Sequence, residues 1–148
     1  MEYLSHNTEA YAGIIWLSNG TGHVSLIKNW RFVMNPISNK ISGVFIPVSN
    51  VEEARDWYCD LLGLPADGEV FFGHIYVLPL EGANIVLDSK IFSPDNVFKA
   101  PAFQFSTEDI YRAYDYMKTK HVELLTEIEN GHWFNFKDPD GNVLMICK

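Results

Sequence analysis

Residues 41–64, ISGVFIPVSNVEEARDWYCDLLGL, read as a strand running directly into a helix. The apolar run ISGVFIPVS suits a strand covered on at least one face. Asn50 then stands where an N-cap belongs, and Glu53 three residues later makes something close to a capping box. In NVEEARDWYCDLLG the positions Val51, Ala54, Tyr58, Leu61 and Leu62 share one helical face, and Gly63 ends the helix.

Three strand-like runs follow: GEVFFG, HIYVLPL and ANIVLDSK, the last two joined by a turn at Glu81-Gly82. The stretch IFSPDNVFKAP, with proline near both ends, reads as a linker. Beyond it the order recurs. APAFQFSTE is a strand, Asp109 caps the helix DIYRAYDYMKTK, and ELLTEIENG, HWFNFKDPDG and NVLMICK are three further strands. An ungapped offset of 59 pairs Gly43 with Ala102, the caps Asn50 and Asp109, Ile75 with Phe134, Val77 with Phe136, Gly82 with Gly141 and Leu87 with Ile146. Caps, turn glycines and apolar character agree together, as expected of a duplicated module. The expected fold class is α+β, with tandem βαβββ modules at 41–90 and 101–148 forming a curved mixed sheet that carries its helices on the convex face.

VSNVEEARDWYCDLLGL in the first module and DPDGNVLMI at the end resemble the vicinal-oxygen-chelate superfamily, which includes glyoxalase I, extradiol dioxygenases and bleomycin-resistance proteins. The resemblance covers residues 41–148 and is closest in character to the metal-free bleomycin-resistance-like branch. In metal-dependent members each module supplies one ligand from its first strand and one from its last. The resemblance carries these positions onto Gly43, Val86, Ala102 and Met145. None offers an imidazole, carboxylate or thiolate, and a thioether is a poor donor for the metals such sites hold. No metal and no cofactor are therefore expected. His74, His132, Asp88 and Glu129 could donate by type, but no ligand-like spacing joins them.

Strand alternation sorts the remaining residues. Val44, Ile46, Val48, Ile85, Leu87, Phe103, Phe105, Leu144 and Ile146 are uniformly apolar, as a helix-covered face requires. The opposite parity mixes rings, amides and small residues. Phe45, His74, Tyr76, Gln104, Trp133, Asn135 and Met145 are the expected ligand-binding set, the make-up of an organic-ligand pocket. The plainer alternative is a closed sheet whose rings simply fill their own concave face.

Composition narrows the function classes. Ten Phe, seven Tyr and four Trp are more rings than a small core ordinarily needs. The net charge of −8 disfavours nucleic acid, whose binders need a basic stripe, and suits a cationic or planar ligand. Cys59 and Cys147 lack metal-type spacing and suit free thiols in a reducing cytoplasm. No apolar run reaches the roughly 18–20 residues of a membrane span.

Residues 1–40 form an N-terminal extension of different character, with a possible hairpin around SNGTG. The N-terminus lacks the basic region of a secretory signal. Trp30 is encoded by TGG and Arg31 can be encoded by AGG, which together spell a GGAGG-like ribosome-binding sequence two codons before Met34. Residues 1–33 are then either translated leader or a genuine tail in which Trp-Arg precedes Met by coincidence.

The leading functional expectation is a metal-free protein that sequesters a drug or metabolite between aromatic walls, without catalytic residues. The resemblance implies a homodimer. The alternatives are a lyase, isomerase or dioxygenase-related enzyme with a non-standard site, using His74 as base beside Asp88, and an interaction domain with a filled cavity.

Overall fold

The computed structural model describes residues 35–148, and the compact unit among them is Asn39–Lys148. The hairpin and start-site expectations fall on residues outside those described.

The first module runs β1 (Gly43–Pro47), α1 (Val51–Leu62), β2 (Ile75–Leu78) and β3 (Asn84–Asp88). The second runs β4 (Gln104–Ser106), α2 (Ile110–Thr119), β5 (Glu123–Leu124), β6 (Trp133–Lys137) and β7 (Val143–Cys147). Hydrogen bonding divides them into two mixed sheets, ordered β1-β3-β2 and β4-β7-β6-β5. In each, the first strand lies parallel to the last, and the strand before the last pairs antiparallel to it. The α+β class stands, but the first module has three strands where βαβββ requires four, and the single curved sheet expected is divided in two.

Both helices begin as their sequence implies. Asn50 Oδ1 accepts from the backbone N–H of Glu52 and Glu53, and Asp109 Oδ1 does the same for Tyr111 and Arg112. The Asn50 side-chain amide also donates to Glu53 Oε1, a variant of the capping box closed by the cap's own side chain. At the far end of α1, Gly63 sits at φ 67° while the Leu64 N–H reaches Cys59 O, a Schellman-type stop. In α2 the same left-handed position falls on His121 at φ 56°, with Val122 N–H bonded to Met117 O.

That helix end exposes an error in the ungapped repeat. Gly63 and His121 are 58 apart, as are the left-handed turn pairs Phe72-Gly73 and Asn130-Gly131 and the bridges Phe71–Ile75 and Glu129–Trp133. The last strands return to 59, since Phe45 pairs with Val86 as Gln104 pairs with Met145. From cap to left-handed stop the first module is thus one residue longer, and between the paired residues Ile75 and Asp88 it is one residue shorter than between Trp133 and Cys147. The two changes compensate.

A one-residue slip turns every side chain to the other face. In the second module Phe134 and Phe136 are buried toward the helices, as expected. In the first, Tyr76 and Leu78 take that role, pairing with Leu87 and Ile85, while Ile75 and Val77 lie on the face opposite the helices. Tyr76 is therefore a core residue and not a pocket residue. The GEVFFG run is no strand either, apart from the single bridge at Phe71. One core joins both modules, with Ile46, Val48, Tyr58, Tyr76 and Leu87 from the first and Ile110, Tyr114, Phe134, Phe136 and Leu144 from the second.

Candidate functional site

The faces turned away from the helices carry two corresponding rows. In the first module Phe45, Val86 and Val77 are in register across β1, β3 and β2. In the second, Gln104, Met145 and Asn135 are in register across β4, β7 and β6. Val86 is buried yet stands apart from the core cluster to which its neighbours Ile85 and Leu87 belong, which places it on this opposite face. Phe45 and Gln104 are exposed at the strand edges, whereas Met145 and Asn135 are half-buried.

Asn135 is the most informative member of its row. Its backbone is paired, with the N–H bonded to Thr126 Oγ1 and the carbonyl to Leu125 N–H. Its side-chain Oδ1 is buried and has no hydrogen-bond partner among the described residues. Trp133, one step along the same face, is half-buried, in register with Cys147, and meets His132 edge to face.

His74 lies just before β2, at the end of the hairpin turn. Its Nδ1 is 2.9 Å from Asp88 Oδ1, which also accepts from the Lys90 N–H at 2.9 Å. Asp88 is buried at 5% exposure, so a fixed carboxylate holds the imidazole. In the neutral imidazole that donates to this carboxylate through Nδ1, Nε2 is the acceptor. The expected set thus separates by sheet. Phe45 and His74 belong to the first, Gln104, Trp133, Asn135 and Met145 to the second, and Tyr76 drops into the core.

Cavities lie elsewhere among the described residues. One of about 510 Å³ is bordered by Phe92, Phe98, Lys99, Lys137 and Val143, at the linker between modules. Another, about 330 Å³, lies between the start of α1 and residues 138–140, beside Glu53, Trp57 and Tyr58. None of the expected ligand-binding residues lines either one.

The DPDGN turn beside the smaller cavity is a structural joint. Asp138 Oδ1 accepts from the Asp140 and Asn142 N–H groups, and Oδ2 accepts from the Tyr58 hydroxyl and the Asn142 side-chain amide. Asn142 also donates to Pro47 O and accepts from the Phe98 N–H. Burial raises the Asp138 carboxyl above its ordinary value despite these donors, and burial together with Asp138 raises the Tyr58 phenol well above its own. Strand, helix, linker and turn meet at satisfied polar groups, as a buried network requires.

The sequence profile of the glyoxalase/bleomycin resistance protein/dioxygenase superfamily matches residues 40–146. The chain belongs to this superfamily. It is 27% identical over 116 residues to the uncharacterized protein YetH of Bacillus subtilis, an alignment covering 72% of this chain and 96% of the relative. Among solved structures it is similar to TnmS3, an antibiotic binding protein from Streptomyces sp. CB03234, with TM-score 0.58, 24% identity and coverage of 77% of this chain and 98% of that one. It is also similar to lactoylglutathione lyase from Agrobacterium tumefaciens, with TM-score 0.57, 16% identity and coverage of 76% and 95%. At these identities the structural matches establish the fold.

For this superfamily member the donor chemistry does not fit a bound metal at the family's positions. Val86 and Met145 sit at the centres of their rows, and Gly43 and Ala102 offer no side-chain donor. Among the described residues no three His, Cys, Asp or Glu side chains converge on a common point. Cys59 and Cys147 are both free thiols. Among the same residues, no helix is long and apolar enough to cross a membrane.

Proposed function

We propose that this chain is a metal-free binder of small organic molecules, sequestering a drug or metabolite against the sheet faces opposite its helices, as a cytoplasmic homodimer. The observation that carries the reading is the buried Oδ1 of Asn135, unpartnered among the described residues, on a face it shares with Trp133, Met145 and Gln104. A buried acceptor left unpaired costs about 1–3 kcal/mol, which a ligand N–H or O–H would recover. Rings give area at low entropic cost, and the amides of Gln104 and Asn135 would orient what binds. The antibiotic-binding description of TnmS3 supports the same ligand class.

Thermal-shift screening against planar and cationic antibiotics tests this. A ligand at 100 times its Kd adds roughly 2.7 kcal/mol of stability. A flat response across such a panel, or stoichiometric zinc, nickel, manganese or iron in the purified protein, would overturn the proposal. The His74–Asp88 contact favours a second reading, a metal-free lyase or isomerase with His74 as general base, because orientation of the base precedes its pKa. Turnover lost in His74→Gln would identify it.

A further inference from the structure

Phe72 stands at the tip of the hairpin leading into β2, at φ 53° and 87% exposed. The left-handed region is disfavoured for any side chain with a Cβ, and a bulky ring there is an outlier. The second module makes the same turn with Asn130 at φ 52°, a residue type that tolerates this conformation. The turn itself therefore does not require phenylalanine, and at 87% exposure little packing offsets the strain. Strain held without a packing partner is a reason to look for function.

Two residues on, the Phe72 and His74 rings lie 6.4 Å apart, with their planes inclined by 35°. His74 is held through Nδ1 by buried Asp88, which fixes the direction of Nε2, an acceptor when the ring is neutral. The second module keeps a histidine at the corresponding place, His132, but has Asn130 for Phe72 and Cys147 for Asp88. The ring and the anchored imidazole are found together only in the first module.

We propose that Phe72 and His74 form a recognition element for a planar aromatic ligand bearing a ring hydroxyl or N–H. The ligand ring stacks on Phe72, and its donor bonds to His74 Nε2. This rests on the small-molecule reading above and names the ligand class. A second copy of the chain could also cover Phe72. An apolar contact between copies would have no use for an imidazole anchored by a buried carboxylate, so the ligand is the better fit.

Calorimetric titration of the full chain with 2-naphthol and 2-methoxynaphthalene, run beside the antibiotic panel, tests the assignment. The wild type should prefer the naphthol by about fivefold, one neutral hydrogen bond's worth, and His74→Leu should erase that preference. Phe72→Asn should weaken both probes by about fivefold while raising Tm by a few degrees, since it relieves the turn. Unchanged affinities in Phe72→Asn overturn the stacking role, and a lowered Tm makes Phe72 a packing residue. A shift in sedimentation with binding intact assigns Phe72 to a contact between copies. A preference that survives His74→Leu removes the histidine. Antibiotic binding without naphthalene binding sinks this inference alone, whereas silence from every compound sinks the binding reading and this one with it.

Discussion

The Tyr58 hydroxyl donates a 2.7 Å hydrogen bond to Asp138, 80 residues away in sequence, and both side chains are buried. The contact ties α1 of the first module to the β6–β7 turn of the second. Asp138 also accepts from Asn142, whose amide reaches back to Pro47 O at the end of β1. Tyr58→Phe should therefore destabilise the protein by about 1–3 kcal/mol, because it removes one donor from a buried carboxylate without removing the carboxylate. Asn142→Ala should cost more, since it strands Pro47 O and the Phe98 N–H as well. Urea denaturation of the three proteins measures both. Equal midpoints for wild type and Tyr58→Phe would mean the bond is dispensable.

The same phenol sets an alkaline limit. Its pKa is raised well above 10.0 by burial and by neighbouring Asp138. The folded state thus keeps a proton that the unfolded chain loses as pH rises past 10.0. Its contribution to stability is complete below that pH and disappears as pH climbs toward the folded-state value. Stability of the wild type should fall through this alkaline window, and more steeply than that of Tyr58→Phe. Urea midpoints followed from neutral pH into the alkaline range give the comparison directly.

A third prediction concerns the end of α2. His121 occupies the left-handed stop position at φ 56°, where α1 has Gly63 at φ 67°. Replacing a residue that bears a Cβ by glycine there removes strain of about 1–2 kcal/mol, less the extra freedom glycine gains in the unfolded chain. His121→Gly should raise the urea midpoint with an unchanged slope. A lower midpoint would show that the His121 ring makes contacts worth more than the strain.

That helix end also explains which parts of the molecule could be read from sequence. The caps Asn50 and Asp109, the apolar faces of β1, β3 and β7, and the order of elements other than the GEVFFG strand follow from local chemistry, and they survive in the structure. The middle of each module was less legible, because two single-residue length differences cancel. An offset of 59 satisfies everything outside them and misplaces everything between. Tyr76 was the casualty. An aromatic ring at a strand position suits a pocket wall and a core equally well, and only register separates the two. A signal was present in the repeated Gly-His pairs, Gly73-His74 and Gly131-His132, which are 58 apart. The His74–Asp88 bond was not legible, since His74 precedes the strand and alternation does not govern where its ring turns. Phe72 was hidden inside a run that looks like a strand.

Trp133 and Tyr76 now make a paired test of where the ligand binds. Both were candidates for one aromatic wall, but Tyr76 is 2% exposed among the core residues, with its hydroxyl 3.9 Å from the Cys59 thiol. Trp133 is half-buried on the opposite kind of face, one step from the unpartnered amide of Asn135. Tyr76→Ala should cost about 3–5 kcal/mol, as truncating a buried ring typically does, and should affect ligands only by unfolding the protein. Trp133→Ala should cost distinctly less stability and yet abolish the thermal shift produced by antibiotics that stabilise the wild type. Denaturation midpoints and thermal-shift titrations on the two variants separate the outcomes. If Trp133→Ala proves as destabilising as Tyr76→Ala, the ring is core filler, the face opposite the helices is closed over itself, and the ligand-binding proposal loses its main wall.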